Sequence, residues 1–247
     1  MKVSIITVTY NSAHTLKDCI HSVSSQSYDN IEHIFVDGNS TDNTVEIIKN
    51  HASSSIYISE TDKGLYDAMN KGLKLATGDL IGILNSDDMY AYSNVIQDTV
   101  DLIADKDALY ADLCYVDKAN SEIIKRYWKS GPYNRTSFKY GWMPPHPTLF
   151  VKKSIYNKFG CFNLNLKSAA DYELMLRFLY KQQIKTVYLP KTTVIMREGG
   201  VSNQSLTHRI MANKEDRIAW ELNKLKMPFF LPFLKPLRKL PQYFQKP

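Results

Sequence analysis

Cysteine is scarce. The 247-residue chain has three, Cys19, Cys114 and Cys161, far apart and never as C-x-x-C. An odd, unpaired set argues against a disulfide framework and a zinc site, and suits a reducing compartment. Glycine and proline are sparse too, ten of each, which excludes collagen-like and extensively disordered chains. No apolar run approaches the roughly 18 residues of a membrane span. The opening "MKVSIITVTYNS" is too briefly apolar for a signal-peptide core, so a cytoplasmic location is expected. No G-x-G-x-x-G follows the first apolar run, which disfavours a dinucleotide-dependent dehydrogenase. The same region, "TVTYNSAHT", also lacks the Gly/Arg/Lys-rich phosphate loop expected of a nucleotidyltransferase.

What is present supports a sizeable core: 44% of the residues are hydrophobic. The net charge of +6 comes from 31 basic against 25 acidic residues. Most of the surplus lies in residues 224–247, "KLKMPFFLPFLKPLRKLPQYFQKP", with six Lys/Arg and no acid. Nucleic-acid binding would need basic residues spread over the domain, so it is not expected.

The first hundred residues alternate strand and helix. "KVSIITV", "EHIFVD", "SIYIS" and "LIGIL" read as strands. Between them, Leu16, Ile20 and Val23 recur at helical spacing, "VEIIKN" follows a capping turn, and Leu65, Met69, Leu73 and Ala76 line one helical face. Such alternation predicts an α/β fold with a mostly parallel central sheet flanked by helices. The second half reads as a mixed region. "ALYADLCYV" and "IIKRYW" are strands, "YGWMPPHPTLFVKK" is a loop entering a strand, and "AADYELMLRFLYKQ" is a helix. "KTVYLP" and "TTVIMR" read as two short strands around Pro190, before a long helix from Ser205 to Lys226.

In open parallel sheets, ligands bind beyond the carboxyl ends of the strands. Here those ends carry Thr9, Tyr10 and Asn11, then Asp37, then Glu60 and Asp62, then Asp87 and Asp88. Two adjacent carboxylates after a buried strand repel each other and call for a positive partner. A hard-oxygen pair of this kind holds Mg²⁺ or Mn²⁺ while substrate phosphates complete the shell. A turn capping the next helix is the structural alternative.

"VSIITVTYN", "IEHIFVDGNSTDNT", "SETDKGLYDAMNKGLKLATGDLIGILNSDD" and "AADYELMLR", in this order over roughly residues 1–200, resemble the motifs of the family 2 glycosyltransferases. The resemblance implies a GT-A nucleotide-diphospho-sugar transferase fold and a metal-dependent, inverting transfer. The donor would be a nucleotide-diphosphate sugar, UDP-linked by expectation, and the acceptor a saccharide that is lipid-linked in one version. The "DKGLYDAMNKG" form looks closest to bacterial enzymes that build surface polysaccharides (O-antigen, capsule or exopolysaccharide). Carried over by position, Thr7, Tyr10, Asn11 and Asp37 would contact base and ribose. Asp62, Lys63, Asp67 and Asn70 would close over nucleotide and sugar. Asp87 would face the sugar or ribose, and Asp88 would be the direct ligand of Mn²⁺ or Mg²⁺. The family's carboxylates flank one residue; Ser86 fills the first position here and leaves Asp88 as chief ligand.

Asp171 is the expected base, taking the proton of the acceptor hydroxyl. Its alternative is a helix cap, since an Asp near a helix N-terminus complements the dipole. Glu173 reads as structural or as an acceptor contact. Trp142, a candidate sugar platform, and His146, held among prolines, are expected near acceptor or diphosphate. Arg197 in "MREGGVSNQ" would meet the diphosphate from a lid. These expectations divide the chain into a catalytic domain, 1–204, and a helix with a basic, aromatic tail, 205–247. Within the domain, 1–100 would hold the nucleotide sugar and 101–204 the acceptor. Four prolines from Pro228 to Pro241 should prevent one long helix in the tail. Its composition suits peripheral association with an anionic membrane surface. Packing on its own domain or on a second copy, as a homo-oligomer, is the other reading. A non-catalytic module that binds a nucleotide sugar is the rival function, against which the presence of both Asp88 and Asp171 counts.

Overall fold

The computed structural model describes residues 1–51, 55–199 and 206–245, without the side chains of 206–212. Strands β1 (Val3–Thr9), β2 (Ile31–Asp37), β3 (Ile56–Ser59) and β4 (Leu80–Ile83) run parallel in the order β3-β2-β1-β4. Helices α1 (Leu16–Ser24), α2 (Thr44–His51) and α3 (Leu65–Leu75) connect them. Every residue of β1 is buried, as a parallel strand covered on both faces requires. A Cβ on Gly72 would lie 2.4 Å from Ile6 Cγ2, so glycine lets α3 press directly onto β1.

The second half extends the same sheet. Its elements are β5 (Asp88–Tyr90), α4 (Val95–Ile103), β6 (Ala108–Val116), β7 (Ile124–Trp128), β8 (Phe150–Lys152) and α5 (Lys153–Phe159). They are followed by α6 (Ala170–Met175), which continues as a π-helical turn to Lys181, and β9 (Thr186–Arg197). Helices α7 (Leu206–Leu222) and α8 (Leu231–Leu237) close the chain. The full order is β3-β2-β1-β4-β8-β6-β9-β5, with β7 also on β6. β4–β8, β6–β8, β6–β7 and β5–β9 are antiparallel, while β6–β9 is parallel. The sheet is therefore mixed, with its parallel part where strand and helix alternate in sequence.

Two details differ from expectation. β9 is one strand, because the register with β6 jumps from Ala111↔Leu189 to Asp112↔Thr192. That shift lifts Pro190 and Lys191 out of the ladder, where a residue without an N–H is tolerated. The second is β5, which starts at Asp88 itself. The carboxylate pair opens a strand and does not cap a helix.

Two layers of side chains fill the faces. Against α3, α6 and α7 lie Met69, Phe138, Tyr172, Phe178 and Trp220, all at most 2% exposed; against α1 and α4 lie Cys19, Val95, Leu113 and Phe150. Each large side chain fully buried in this way contributes roughly 1.5–3 kcal/mol. Trp220 of α7 and Leu231 of α8 share the first layer, so the C-terminal helices are packed onto the sheet domain.

Candidate active site

The parallel register aligns Thr9, Asp37 and Ser59 in one row at the carboxyl ends of β1, β2 and β3. Asp37 is fully buried. Its Oδ1 accepts from Thr9 Oγ1 at 2.9 Å and from Ser40 Oγ, and its Oδ2 from Ser40 N at 2.9 Å and Ser59 Oγ at 2.7 Å. Four donors fill the acceptor capacity of a carboxylate. Asp37 therefore shapes the loop after β2 and has no oxygen left for a base edge, a correction to its expected role. Thr7 is corrected as well: it is buried two residues below the rim, with Oγ1 2.9 Å from His33 Nε2. Thr9 occupies the strand end instead.

Asn11 takes a left-handed backbone, φ +48°, and its Oδ1 accepts from Thr41 N at 2.9 Å, which ties the β1 and β2 loops together. Tyr10 is 67% exposed beside them. A Cβ on Gly38 would lie 2.6 Å from Asp62 Oδ2 and 3.4 Å from the Tyr10 ring. Tyr10, Gly38 and Asp62 thus share one corner of the rim. Lys63 is exposed, and its backbone N donates to Asp67 Oδ2 at 3.0 Å. Asp67 pins that turn. Asn70 holds both N and O of Phe162 at 2.9 Å and so clamps the later loop to α3. Its amide is spent on backbone and does not face a sugar.

At the end of β4, Ser86 Oγ donates to Ser12 Oγ at 2.8 Å, which joins the carboxylate turn to the β1 loop. Asp87 is half-buried, whereas Asp88 is fully buried. Burial, then the neighbouring Asp87 charge, pushes the Asp88 carboxyl well above the usual range; burial also raises Asp87. Arg197 Nη1 donates to the Asp87 carbonyl at 3.1 Å, and its charge lowers both carboxyls. Among the described residues the positive charges acting on Asp87 are Arg197, anchored in turn on Asp18 of α1, and Lys118. Residues 200–204 of the expected lid lie outside the described residues.

Among the described residues no group of three or more His, Cys, Asp or Glu is placed to hold a metal. Asn85 Oδ1 and Asp88 Oδ1 are nonetheless buried without any donor, next to one another through the 2.9 Å bond from Asn85 Nδ2 to Asp88 Oδ2. Acceptor oxygens left over beside a half-exposed carboxylate suit a hard cation that draws further ligands from phosphate. The donor set for such an ion would be the Asn85–Asp88 turn, where Asp87 is the carboxylate that solvent reaches. Asp88, expected as chief ligand, is fully buried, and its charge disfavours the ionisation of Cys19 and Tyr115.

Tyr66 of α3 donates its hydroxyl to Asp171 Oδ1 at 3.0 Å. Asp171 does not cap α6. Glu215 of α7 takes the amides of Lys167, Ser168 and Ala169 at 3.0, 2.7 and 3.0 Å. Burial lowers the pKa of His146, and the nearby Asp171 charge opposes that shift; the His146 ring packs edge-on against Phe162, 5.6 Å between centroids. Tyr66, Asp171 and His146 accordingly form one cluster.

Trp142 is not part of it. Its indole is 6% exposed, stacked on Tyr133 at 5.1 Å, with Nε1 donating to Ser130 O at 2.7 Å. A sugar platform needs an open face, and this ring has none. Glu173 is structural: it meets Arg177 through two 3.0 Å bonds and Asn223 at 3.0 Å. Tyr66 and Glu215 were missed by sequence reasoning. Tyr66 lies inside "DKGLYDAMNKG", where its position could have drawn attention; nothing local marks Glu215.

Residues 4–172 match the family described as Glycosyl transferase family 2. The chain belongs to glycosyltransferase family 2. It is 30% identical over 205 residues to a PGL/p-HBAD biosynthesis glycosyltransferase of Mycobacterium bovis, covering 81% of this chain and 78% of that one. It is 33% identical over 178 residues, 71% and 68% of the two chains, to an uncharacterized glycosyltransferase of Mycobacterium tuberculosis. Among solved structures, S. aureus TarS 1-349 in complex with UDP-GlcNAc is similar with a TM-score of 0.68 at 19% identity, covering 90% of this chain and 65% of that one. This chain spans only 39% of a longer TarS chain. The mannosyltransferase PcManGT from Pyrobaculum calidifontis, in complex with GDP-Man and Mn²⁺, has a TM-score of 0.67 at 18% identity, covering 97% and 68%. These likenesses establish the GT-A fold of this family 2 member.

Proposed function

We propose that this chain transfers a sugar from a nucleotide-diphosphate donor, a UDP-sugar in the first instance, to a glycan hydroxyl with inversion of configuration, in surface-polysaccharide assembly. The observation that carries the reading is Asp171. Its carboxylate makes no capping bond to α6 and accepts from the Tyr66 hydroxyl of α3. A carboxylate so held can accept the proton of an incoming hydroxyl. The alkoxide oxygen then attacks the anomeric carbon from the face opposite the diphosphate, the sugar–phosphate bond breaks, and one displacement inverts the centre.

Tyr10 and Asp62, whose Oδ1 already accepts from Gly64 N at 2.8 Å, are the donor-side groups that would meet base or ribose, and Arg197 lies beside the carboxylate turn where diphosphate charge would arrive. Asp87, with Asp88 and Asn85, would hold Mn²⁺ or Mg²⁺, which supplies charge neutralisation for the leaving nucleoside diphosphate. The supporting relatives are named glycosyltransferases, and the similar structures are described with UDP-GlcNAc or with GDP-Man and Mn²⁺.

The test is thermal stabilisation by UDP with and without Mn²⁺, followed by turnover of a panel of nucleotide sugars. UDP should raise the melting temperature only with metal, and Asp87→Ala should remove that shift. Asp171→Asn should keep the UDP shift and lose turnover. A metal-independent shift of equal size, or full turnover by Asp171→Asn, would defeat the proposal.

A further inference from the structure

The chain after α7 has two unlike faces. Its inner face is docked: Leu231 is 1% exposed, Phe230 stacks on Tyr140 at 5.8 Å, and Lys235 Nζ meets both carboxylate oxygens of Asp216 at 2.7 Å. Gly141, at φ +80°, lies so close to Lys235 that a Cβ there would be 2.8 Å from its Cα. The segment is fixed in orientation. Its outer face carries Phe229, Phe233, Leu237, Leu240 and Phe244, between 55% and 87% exposed. Their spacing of four, four, three and four residues follows the helical repeat of α8 and the 3₁₀ turn behind it, Leu240–Tyr243. An apolar stripe held outward by a docked inner face marks an interaction surface.

We infer that this stripe seats the protein on an anionic lipid surface. Charge decides for lipid over a second copy of the chain: residues 224–247 hold six Lys/Arg and no acid, and Lys226, Arg238 and Lys239 are exposed. Two identical basic faces would repel if paired, whereas anionic headgroups attract them while the rings enter the interface. No described helix is long and apolar enough to cross a membrane, so the contact is one of lying on the surface. The docked face also reaches the proposed acceptor side. Lys235 Nζ lies 3.7 Å from the centroid of Tyr172, the residue after Asp171. A membrane under the stripe would thus present lipid-borne acceptors near the base; that last step alone rests on the transfer reaction proposed above.

The experiment is co-sedimentation of the full chain with vesicles of phosphatidylcholine alone or with phosphatidylglycerol added, at physiological salt. Partitioning should be at least tenfold stronger on the anionic vesicles. Arg238→Glu with Lys239→Glu should erase that preference, at about fivefold or more per residue. Phe233→Ser with Phe244→Ser should weaken binding tenfold or more while leaving the UDP-induced melting shift unchanged. No vesicle binding, equal binding to both vesicles, or binding indifferent to these substitutions would overturn the inference. So would a dimer in solution that Phe233→Ser with Phe244→Ser converts to monomer, since the stripe would then be covered by a second copy. Vesicle binding needs no donor and UDP stabilisation needs no vesicles, so failure of one reading is distinguishable from failure of the other.

Discussion

Glu215→Ala is the substitution that best separates architecture from chemistry. Glu215 is 7% exposed and accepts three successive backbone amides, at 3.0, 2.7 and 3.0 Å, just before α6. Hydrogen bonds to a charged group are each worth about 1.5–3 kcal/mol, and buried donors left unpaired forfeit more than they would in water. Allowing for water entering the space, the loss should be roughly 3–5 kcal/mol, a drop on the order of 10 °C in melting temperature for a chain of this size. Urea unfolding at neutral pH measures it directly. Asp171→Asn is the companion: the amide oxygen still accepts from Tyr66, so its stability should stay within about 1 kcal/mol of wild type. The reasoning is refuted if the order reverses. A harmless Glu215→Ala beside a destabilising Asp171→Asn would mean that Asp171 holds the helix end, and its freedom to act as a base would be gone.

Gly38→Ala places a Cβ 2.6 Å from Asp62 Oδ2. Asp62 must swing away, so calorimetric titration should find UDP binding weakened about tenfold, with the unliganded melting temperature nearly unchanged; unaltered affinity would remove Asp62 from the donor site. Burial holds His33 down at about 3. A histidine with a depressed folded value stabilises the fold above its unfolded value near 6.5, and that contribution fades as pH falls towards 3. Between pH 7 and pH 5 the loss from this group should be about 2 kcal/mol. His33→Gln, which keeps a partner for Thr7, should flatten the pH dependence of urea stability over that interval, and an unchanged slope would show that His33 is not held neutral.

The parallel half of the sheet was legible because β1 and β4 are buried throughout and its helices show one apolar stripe each, two local signals of different period. The antiparallel half was less so. β8 has three residues and β5 has three, too short for any period to register, and they are defined by partners distant in sequence. Pro190 gave a misleading signal for a related reason. A proline interrupts a strand unless that strand bulges to exclude it, and the bulge in β9 is defined only by its pairing with β6, distant in sequence.

At the site, the types of residue were legible and their orientation was not. Asp37, Asp62 and Asp87 could be assigned to one end of the sheet by topology alone, whereas Asp171 was placed at the site only by the family resemblance. Whether a carboxylate is free depends on how many donors surround it, and those come from elsewhere: Thr9, Ser40 and Ser59 saturate Asp37, while Asp171 accepts from Tyr66 of α3 and Glu215, 44 positions later, holds the loop just before α6. The adjacent pair shows the point most clearly. In an extended strand, neighbouring side chains point to opposite faces, so two sequential carboxylates at a strand's start are not equally exposed. β5 begins at Asp88 because its backbone pairs with Met196, and there Asp88 is fully buried while Asp87 is only half-buried. Asp87 is thereby left at the rim with Arg197. The choice between them was made by β9, more than a hundred residues away, and no inspection of "NSDD" by itself could have made it.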